Sequence, residues 1–294
     1  MKVLITGKNG QVGWALQHQF ADVGDVIMLD RVEMDLARPD MIRAKIRQVE
    51  PDLIINPAAY TAVDKAESEP GIAMVVNGVA PGLMAEEAKK RAIPFIHYST
   101  DYVYSGDKDT PWEETDPTGP LSVYGKTKLA GDEAVEAVGG DYLIFRTSWV
   151  YGARGKNFYM TMKRLLAERD QLAVVNDQFG TPTWCCTIAE ITAQVVDRIK
   201  KEGIGGRSGV YHLASRGQTT WHGFATEIAK GLGVVGKDIQ PISTDEYPLP
   251  ARRPAFSVLS CEKLEKTFGV VLPQWQGALE HCIHEEVNRF SILG

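Results

Sequence analysis

The chain has 294 residues, 44% of them apolar and 24% charged, with a formal charge of −6. That suits an ordinary globular protein with a full core, in one large or two unequal domains, and no internal repeat or low-complexity linker interrupts it. No apolar run reaches the ~18 residues of a membrane span and no basic block offers a footprint for nucleic acid, so neither membrane nor nucleic acid is an expected partner.

In chain order, Val3–Thr6 reads as a short buried strand, followed by Gly7, Lys8, Asn9, Gly10, Gln11, Val12 and Gly13 and a helical pattern from Val12. Glycines at 7, 10 and 13 permit a tight turn, close approach of backbone N–H groups to a pyrophosphate, and close helix–strand packing. Their spacing is G-x-x-G-x-x-G rather than G-x-G-x-x-G, and glycine turns also occur without ligands. A second apolar strand, Val26–Leu29, ends at Asp30, where a ribose-binding acid is expected about 20 residues on. Together these favour a dinucleotide over an empty loop.

Alternation then continues. Pro39–Val49 reads as a helix, Leu53–Asn56 as a strand, Ile72–Lys90 as one long helix, Ile93–Ser99 as a strand, Lys126–Val138 as a helix and Tyr142–Thr147 as a strand. Crossovers of this kind predict an α/β fold, a doubly wound parallel sheet of Rossmann type, with ligands at the C-terminal ends of its strands. Those ends are rich in small or polar residues: Asn56–Thr61, His97–Tyr102 and Arg146–Tyr151.

Beyond Tyr151 the regularity loosens. Phe158–Arg169 reads as a helix, Leu172–Val175 as a strand and Asn176–Thr183 as an irregular loop; Thr187–Lys200, Trp221–Leu232 (capped by Thr220) and Trp275–Phe290 read as helices, and Val210–Leu213 as a strand. The expected division is a dinucleotide-binding domain over residues 1–150 and a smaller, mainly substrate-binding lobe over 151–294, with about 184–214 returning to the main sheet.

Met1 and Lys2 lead into a strand with no signal-peptide core, so a cytoplasmic location is expected. Cys185, Cys186, Cys261 and Cys282 lack C-x-x-C spacing, which argues against structural zinc or a disulfide framework. His281 and His284 lie three apart on a probable helix, and a partly solvated helix face explains them better than a metal site.

The other informative stretch is Tyr124-Gly-Lys-Thr-Lys128. Residues four apart on a helix share a face, so an ammonium at Lys128 can stabilise a phenolate at Tyr124 and tune it for proton transfer. In an arbitrary helix such a pair means little. Here it follows a strand tip bearing Ser99, Thr100 and Asp101 and accompanies a glycine turn.

On these residues the chain resembles the extended short-chain dehydrogenases/reductases and, more narrowly, the bacterial dTDP-4-dehydrorhamnose reductases. The narrow resemblance rests on GKNGQVGW at 7–14, TAVDKAESEP at 61–70, HYSTDYVY at 97–104, VYGKTKLAGD at 123–132, FRTSWVYG at 145–152, NDQFGTPT at 176–183, Trp221-His222, Arg253-Pro254 and LPQW at 272–275. It spans essentially the whole chain in order.

The resemblance implies hydride transfer from a reduced nicotinamide to the 4-keto carbon of a dTDP-6-deoxy-hexulose, yielding dTDP-L-rhamnose for cell-surface polysaccharide. Tyr124 would donate a proton to the developing alkoxide, Lys128 would hold the nicotinamide ribose and keep Tyr124 acidic, and Thr100 would hydrogen-bond the carbonyl oxygen or the tyrosine. Cofactor contacts fall on Gly7, Gly10, Gln11, Val12, Gly13, Asp30, Arg31, Asp35, Leu36, Ala59, Tyr60, Thr61, Tyr98, Tyr124 and Lys128. Substrate contacts fall on Thr100, Asp101 and Trp149, and Arg253 is the candidate for the diphosphate, its guanidinium fork matching phosphate oxygens; a surface salt bridge is the competing reading. Asp30 favours NADH and Arg31 NADPH; NADPH is expected, with NADH tolerated.

Some relatives are implied to form magnesium-bridged homodimers through acidic side chains on the first helix and in the smaller lobe. This chain has Gly13-Trp14-Ala15-Leu16 and Trp184-Cys185-Cys186 there, with no glutamate, so a monomer or a metal-independent homodimer is expected. An upstream epimerase is a further possible partner. Competing readings are an epimerase or dehydratase for another nucleotide sugar, which regenerates its cofactor, and a non-catalytic regulatory subunit on the same fold. The single acid at the tip of the fourth strand argues against a dehydratase, and the intact Thr100, Tyr124 and Lys128 against a regulatory subunit.

Overall fold

The computed structural model describes residues 1–21 and 24–292, with side chains described as far as Glu285. β1 (Lys2–Ile5), α1 (Gln11–Gln19), β2 (Asp25–Met28), α2 (Pro39–Val49) and β3 (Leu53–Asn56) follow the alternation read from the sequence. Next come short helices α3 (Val63–Ala66) and α4 (Pro70–Met74), a π turn at Val75–Val79, then α5 (Ala80–Arg91), β4 (Phe95–Thr100), α6 (Val123–Val138) and β5 (Tyr142–Thr147). The remainder holds β6 (Val150–Tyr151), α7 (Phe158–Glu168), β7 (Gln171–Val175), β8 (Phe179–Gly180), β9 (Thr183–Trp184), α8 (Cys185–Glu202), β10 (Gly209–His212), β11 (Thr219–Thr220), α9 (Trp221–Gly231), β12 (Asp238–Ile242), α10 (Glu262–Phe268) and α11 (Trp275–Ile292).

Six strands form one sheet in the order β10-β5-β4-β3-β1-β2, and every neighbouring pair is parallel. β3 and β4 are buried along their full length because helices cover both faces, so apolar residues follow one another without alternation at Leu53–Ile55 and Phe95–Ile96 and the polar residues come toward the C-terminal ends. One face packs its core against α1 and α8, with Leu16, Ile188 and Val195 at no measurable exposure; the other packs against α2, α5 and α6 through Ile42, Ile46, Met84 and Val135. Strand order reverses between β1 and β3, so the crevice at their C-terminal ends is the ligand position the topology provides.

The lobe has its own core, in which Tyr159 and Leu166 of α7, Phe224 and Ile228 of α9, and Trp275 and Leu279 of α11 meet beside the parallel pair β7–β12. β12, α10 and the short strands β8, β9 and β11 lack a clear sequence pattern and were not anticipated. β12 carries Pro241 and is largely exposed, as an edge strand permits.

Two helices differ from expectation. The helix expected over Ile72–Lys90 is broken by the π turn, where α6 approaches so closely that a Cβ on Gly131 would lie 2.1 Å from the Asn77 carbonyl oxygen. The helix expected from Lys126 begins at Val123 instead, because the Ser122 hydroxyl accepts the Gly125 amide at 3.1 Å and caps it. Tyr124 thus sits in the first turn of α6 and Lys128 in the second.

Candidate active site

The glycine turn lies between β1 and α1. Gly7 has φ 63°, and a Cβ on Gly13 would fall 2.1 Å from the Gly7 carbonyl oxygen, so a side chain at 13 cannot be accommodated without moving the turn. Gly10 is the N-cap of α1, without a side-chain cap, so the leading amides of Gln11, Val12 and Gly13 lack helical acceptors and are available to an anion. The Gln11 side chain is engaged elsewhere, its amide donating to the Val150 carbonyl at 3.4 Å and its Oε1 accepting from Asn157 Nδ2 at 2.8 Å. Val12 packs against the core. Both therefore offer backbone only to a pyrophosphate.

Beside the turn is a cavity of about 410 Å3 lined by Gly7, Asp30, Arg31, Asp35, Leu36, Ala59 and Tyr60 among others. The Asp30 carboxylate accepts the Val32 and Glu33 amides at 2.9 and 3.1 Å and pairs with Lys8 at 3.3 Å. The Glu33 amide contact, the largest influence, and Lys8 together hold Asp30 below the usual carboxylate range. Arg31 is solvent-exposed, 3.6 Å from Asp35. Asp30 and Arg31 thus line this cavity, and Lys8, bonded to Glu33 at 2.6 Å, stands behind Asp30. Thr61 is exposed one residue beyond Tyr60.

At the tip of β4 the Thr100 hydroxyl donates to Asp101 Oδ1 at 3.0 Å, and Asp101 Oδ2 accepts from Ser148 at 3.0 Å. With Ser257 also bonded to it, Asp101 is saturated inside the protein; burial still raises its carboxyl to about 6. It braces Thr100, where the sequence suggested a substrate ligand. Tyr124 hydrogen-bonds Thr100, and burial outweighs that contact to push the phenol up to about 12. The lysine does not lower it as expected from spacing: Lys128 Nζ donates to the Tyr98 carbonyl at 2.6 Å and lies 3.2 Å from His97 Nε2. Tyr124 is consequently protonated at neutral pH, the form a proton donor needs.

Tyr98 meets the site through its carbonyl alone. Its ring is in the core and its hydroxyl bonds Thr192 of α8 at 2.7 Å, so what it offers to a cofactor is its backbone. Trp149, at φ 45°, lies flat on Trp221 with ring centres 3.5 Å apart and planes 5° apart; its other face meets Gly180, where a Cβ would come within 2.4 Å.

A second cavity, about 550 Å3, lies in the lobe, lined by Phe158, Val174, Gln178, Trp221, Tyr247 and Arg253 among others. Arg253 binds Asp64 through both nitrogens, at 3.1 and 2.8 Å, so its fork is already occupied in the way the salt-bridge reading expects. It also contacts Tyr102, whose ring packs edge-on against Tyr124 at 6.0 Å. Arg253 thereby links this cavity, through Tyr102, to Tyr124.

Sequence reasoning missed Asn77. Its Oδ1 accepts the Tyr60 amide at 2.8 Å, while Nδ2 donates to the Tyr60 carbonyl at 3.0 Å and to Thr127 Oγ1 at 3.2 Å. This one side chain ties the floor of the first cavity to α6 between Tyr124 and Lys128. A polar residue in the middle of an apolar helical run was the available signal.

A doubly wound sheet with a glycine turn on its first helix, and a threonine, tyrosine and lysine meeting at the tip of β4, defines the short-chain dehydrogenase/reductase class. The family described as RmlD substrate binding domain matches residues 1–288. A dTDP-4-dehydrorhamnose reductase of Burkholderia thailandensis is 50% identical over 98% of this chain and the whole of that protein. Among solved structures, a dTDP-4-dehydrorhamnose reductase of Clostridium acetobutylicum superimposes with TM-score 0.91 at 37% identity, covering 97% of this chain and 99% of that one. The Bacillus anthracis enzyme of the same name, solved in complex with NADP, gives TM-score 0.90 at 32% identity with the same coverage. The chain belongs to the dTDP-4-dehydrorhamnose reductase family.

Proposed function

We propose that the chain reduces the 4-keto group of dTDP-6-deoxy-L-lyxo-4-hexulose to give dTDP-L-rhamnose. The observation that carries this reading is the Tyr124 hydroxyl hydrogen-bonded to Thr100 at the tip of β4, in a sheet whose first strand runs into the glycine turn. Bound NADPH supplies the hydride. The α1 amides and the glycines at 7, 10 and 13 suit its pyrophosphate, Asp30, Asp35 and Leu36 its adenosine, and Lys8 with Arg31 the additional phosphate that distinguishes it from NADH. Ala59, Tyr60 and Thr61 would border it on the β3 side.

As negative charge develops on the substrate carbonyl oxygen, the Tyr124 hydroxyl passes its proton to that oxygen and Thr100 donates a hydrogen bond there. This leaves Tyr124 a phenolate, one turn of α6 from Lys128, which holds the Tyr98 carbonyl. Arg253 meets the diphosphate while retaining Asp64, and the Trp149–Trp221 stack forms the apolar wall of the sugar site. Residues 1–150 carry the cofactor in this reading and 151–294 the substrate lobe. Cys185 and Cys261 are buried thiols, which suits a reducing cytoplasm. With tryptophans at 14 and 184 in place of bridging acids, the active form is a monomer or a dimer needing no metal.

The test is loss of NADPH absorbance with the sugar substrate, made in place by the upstream enzymes, for wild type and Tyr124→Phe. Turnover should fall on the order of 10²–10⁴-fold in the variant with cofactor affinity nearly unchanged. A variant as active as wild type removes Tyr124 from the chemistry. A wild type that binds NADPH but does not oxidise it points to another nucleotide sugar.

A further inference from the structure

Behind Lys128 runs a buried file of hydrogen bonds that the reaction described above does not use. The Ala58 amide donates to Thr6 Oγ1 at 3.2 Å, and the Thr6 hydroxyl donates to Asn56 Oδ1 at 2.6 Å. Asn56 Nδ2 lies 3.1 Å from His97 Nδ1, and His97 Nε2 lies 3.2 Å from Lys128 Nζ. Asn56 and His97 have no exposed surface, and Thr6 and Lys128 almost none.

The polarity of this file is fixed at Thr6. A backbone amide can only donate, so Thr6 accepts from Ala58, and its buried hydroxyl needs an acceptor for its own proton, which Asn56 Oδ1 supplies; Asn56 then presents its NH2 to His97 Nδ1. An imidazole that accepts at Nδ1 carries its proton at Nε2, aimed at Lys128 Nζ. That N–H can be accepted only by the lone pair of an uncharged amine. When Lys128 is an ammonium, His97 must instead accept at Nε2 and carry its proton at Nδ1, Asn56 must turn its oxygen to His97, and Thr6 loses its present acceptor.

We infer that His97 is a positioning residue whose tautomer, set by Asn56 and Thr6, opposes the charge on Lys128 and so fixes the pH at which the lysine loses its proton. The inference rests on the proposed reductase reading only for its kinetic consequence. The groups around Lys128 are consistent with it. Burial is the main influence and lowers its ammonium to about 8, opposed by Asp132 one turn along α6. Asp132 in turn is held by Arg146 of β5 at 3.0 Å, the Tyr98 carbonyl of β4 accepts from Lys128, and Tyr124 stands on the same face of α6. Burial first and the neighbouring lysine second lower the His97 imidazole well below its usual range, against a hydrogen bond to the Asn56 backbone that favours its charged form.

The direct test is NMR of the full chain with 15N-labelled histidine, the His97 signals being assigned by their absence in His97→Gln. Above the lysine titration Nδ1 should be bare and Nε2 protonated, and on lowering the pH the tautomer should invert at the midpoint of the Lys128 titration. A single tautomer at every pH overturns the inference whether or not the protein reduces the sugar. Kinetically, His97→Phe should move the basic limb of the kcat profile upward by about one pH unit, the shift one neutral hydrogen bond supplies, and His97→Gln, which can donate or accept, by less. A limb that stays in place or moves down in His97→Phe, with NADPH binding intact, also overturns it. Absent turnover in wild type with an inverting tautomer would instead count against the reductase reading alone.

Discussion

Residues acquire their roles here from what already occupies their hydrogen-bonding groups. Asp101 looks like a free acid in the sequence, yet Thr100, Ser148 and Ser257 use its oxygens, and it braces Thr100 at the tip of β4. Gln11 and Tyr98 are likewise engaged through their side chains, leaving only backbone for the site. Gly13 is the opposite case, useful for having no side chain. Gly13→Ala should cost about 1–3 kcal/mol of stability, because the new methyl meets the Gly7 carbonyl, and should weaken NADPH binding more than substrate binding. Denaturant titration together with fluorescence titration of NADPH checks both; an alanine variant that binds NADPH normally would show that the turn can shift without loss of its amides.

Elements are tied to one another by a few polar bridges between apolar faces. Arg47 of α2 grips Glu87 of α5 through two bonds, at 3.1 and 2.8 Å, and with Lys90 holds that carboxyl down at about 2. A carboxyl depressed in the folded state stabilises the protein above its ordinary pKa of ~4.5, and the contribution is lost as pH falls from there towards 2. Since Arg47 is half exposed, the contribution at neutral pH is discounted to about 1–2 kcal/mol. Glu87→Gln should therefore unfold more easily than wild type at pH 7 and no more easily near pH 2, as thermal melts at the two pH values will show. The elements that position the site are mostly legible in the sequence, because β1 and β3 are buried on both faces and show as apolar runs, and β4 opens on Phe95–Ile96 before its polar tip. What was not legible depended on contacts distant in sequence. The π turn exists because α6 presses on Asn77 fifty residues away, and the fork of Arg253 is filled by Asp64, 189 positions earlier. The start of α6 was a local signal misread, since Ser122 is an ordinary cap.

On the scale of the whole molecule, the central sheet is not built from one continuous half of the chain. β10, at Gly209–His212, is its outermost strand and pairs with β5. A fragment ending at residue 150 would leave β5 as an open edge, with the face covered by α8 bare, and should associate through it. Size-exclusion chromatography of residues 1–150 beside residues 1–215 should give aggregate for the former and more soluble material for the latter; an equally monodisperse short fragment would refute this. The same arrangement sets a schedule for synthesis. Thr147 leaves the ribosome about 60 residues before Gly209 does, roughly 3–12 s at ordinary translation rates. Through that interval the nascent chain carries a sticky, unfinished border, a wait in which a chaperone has reason to attend.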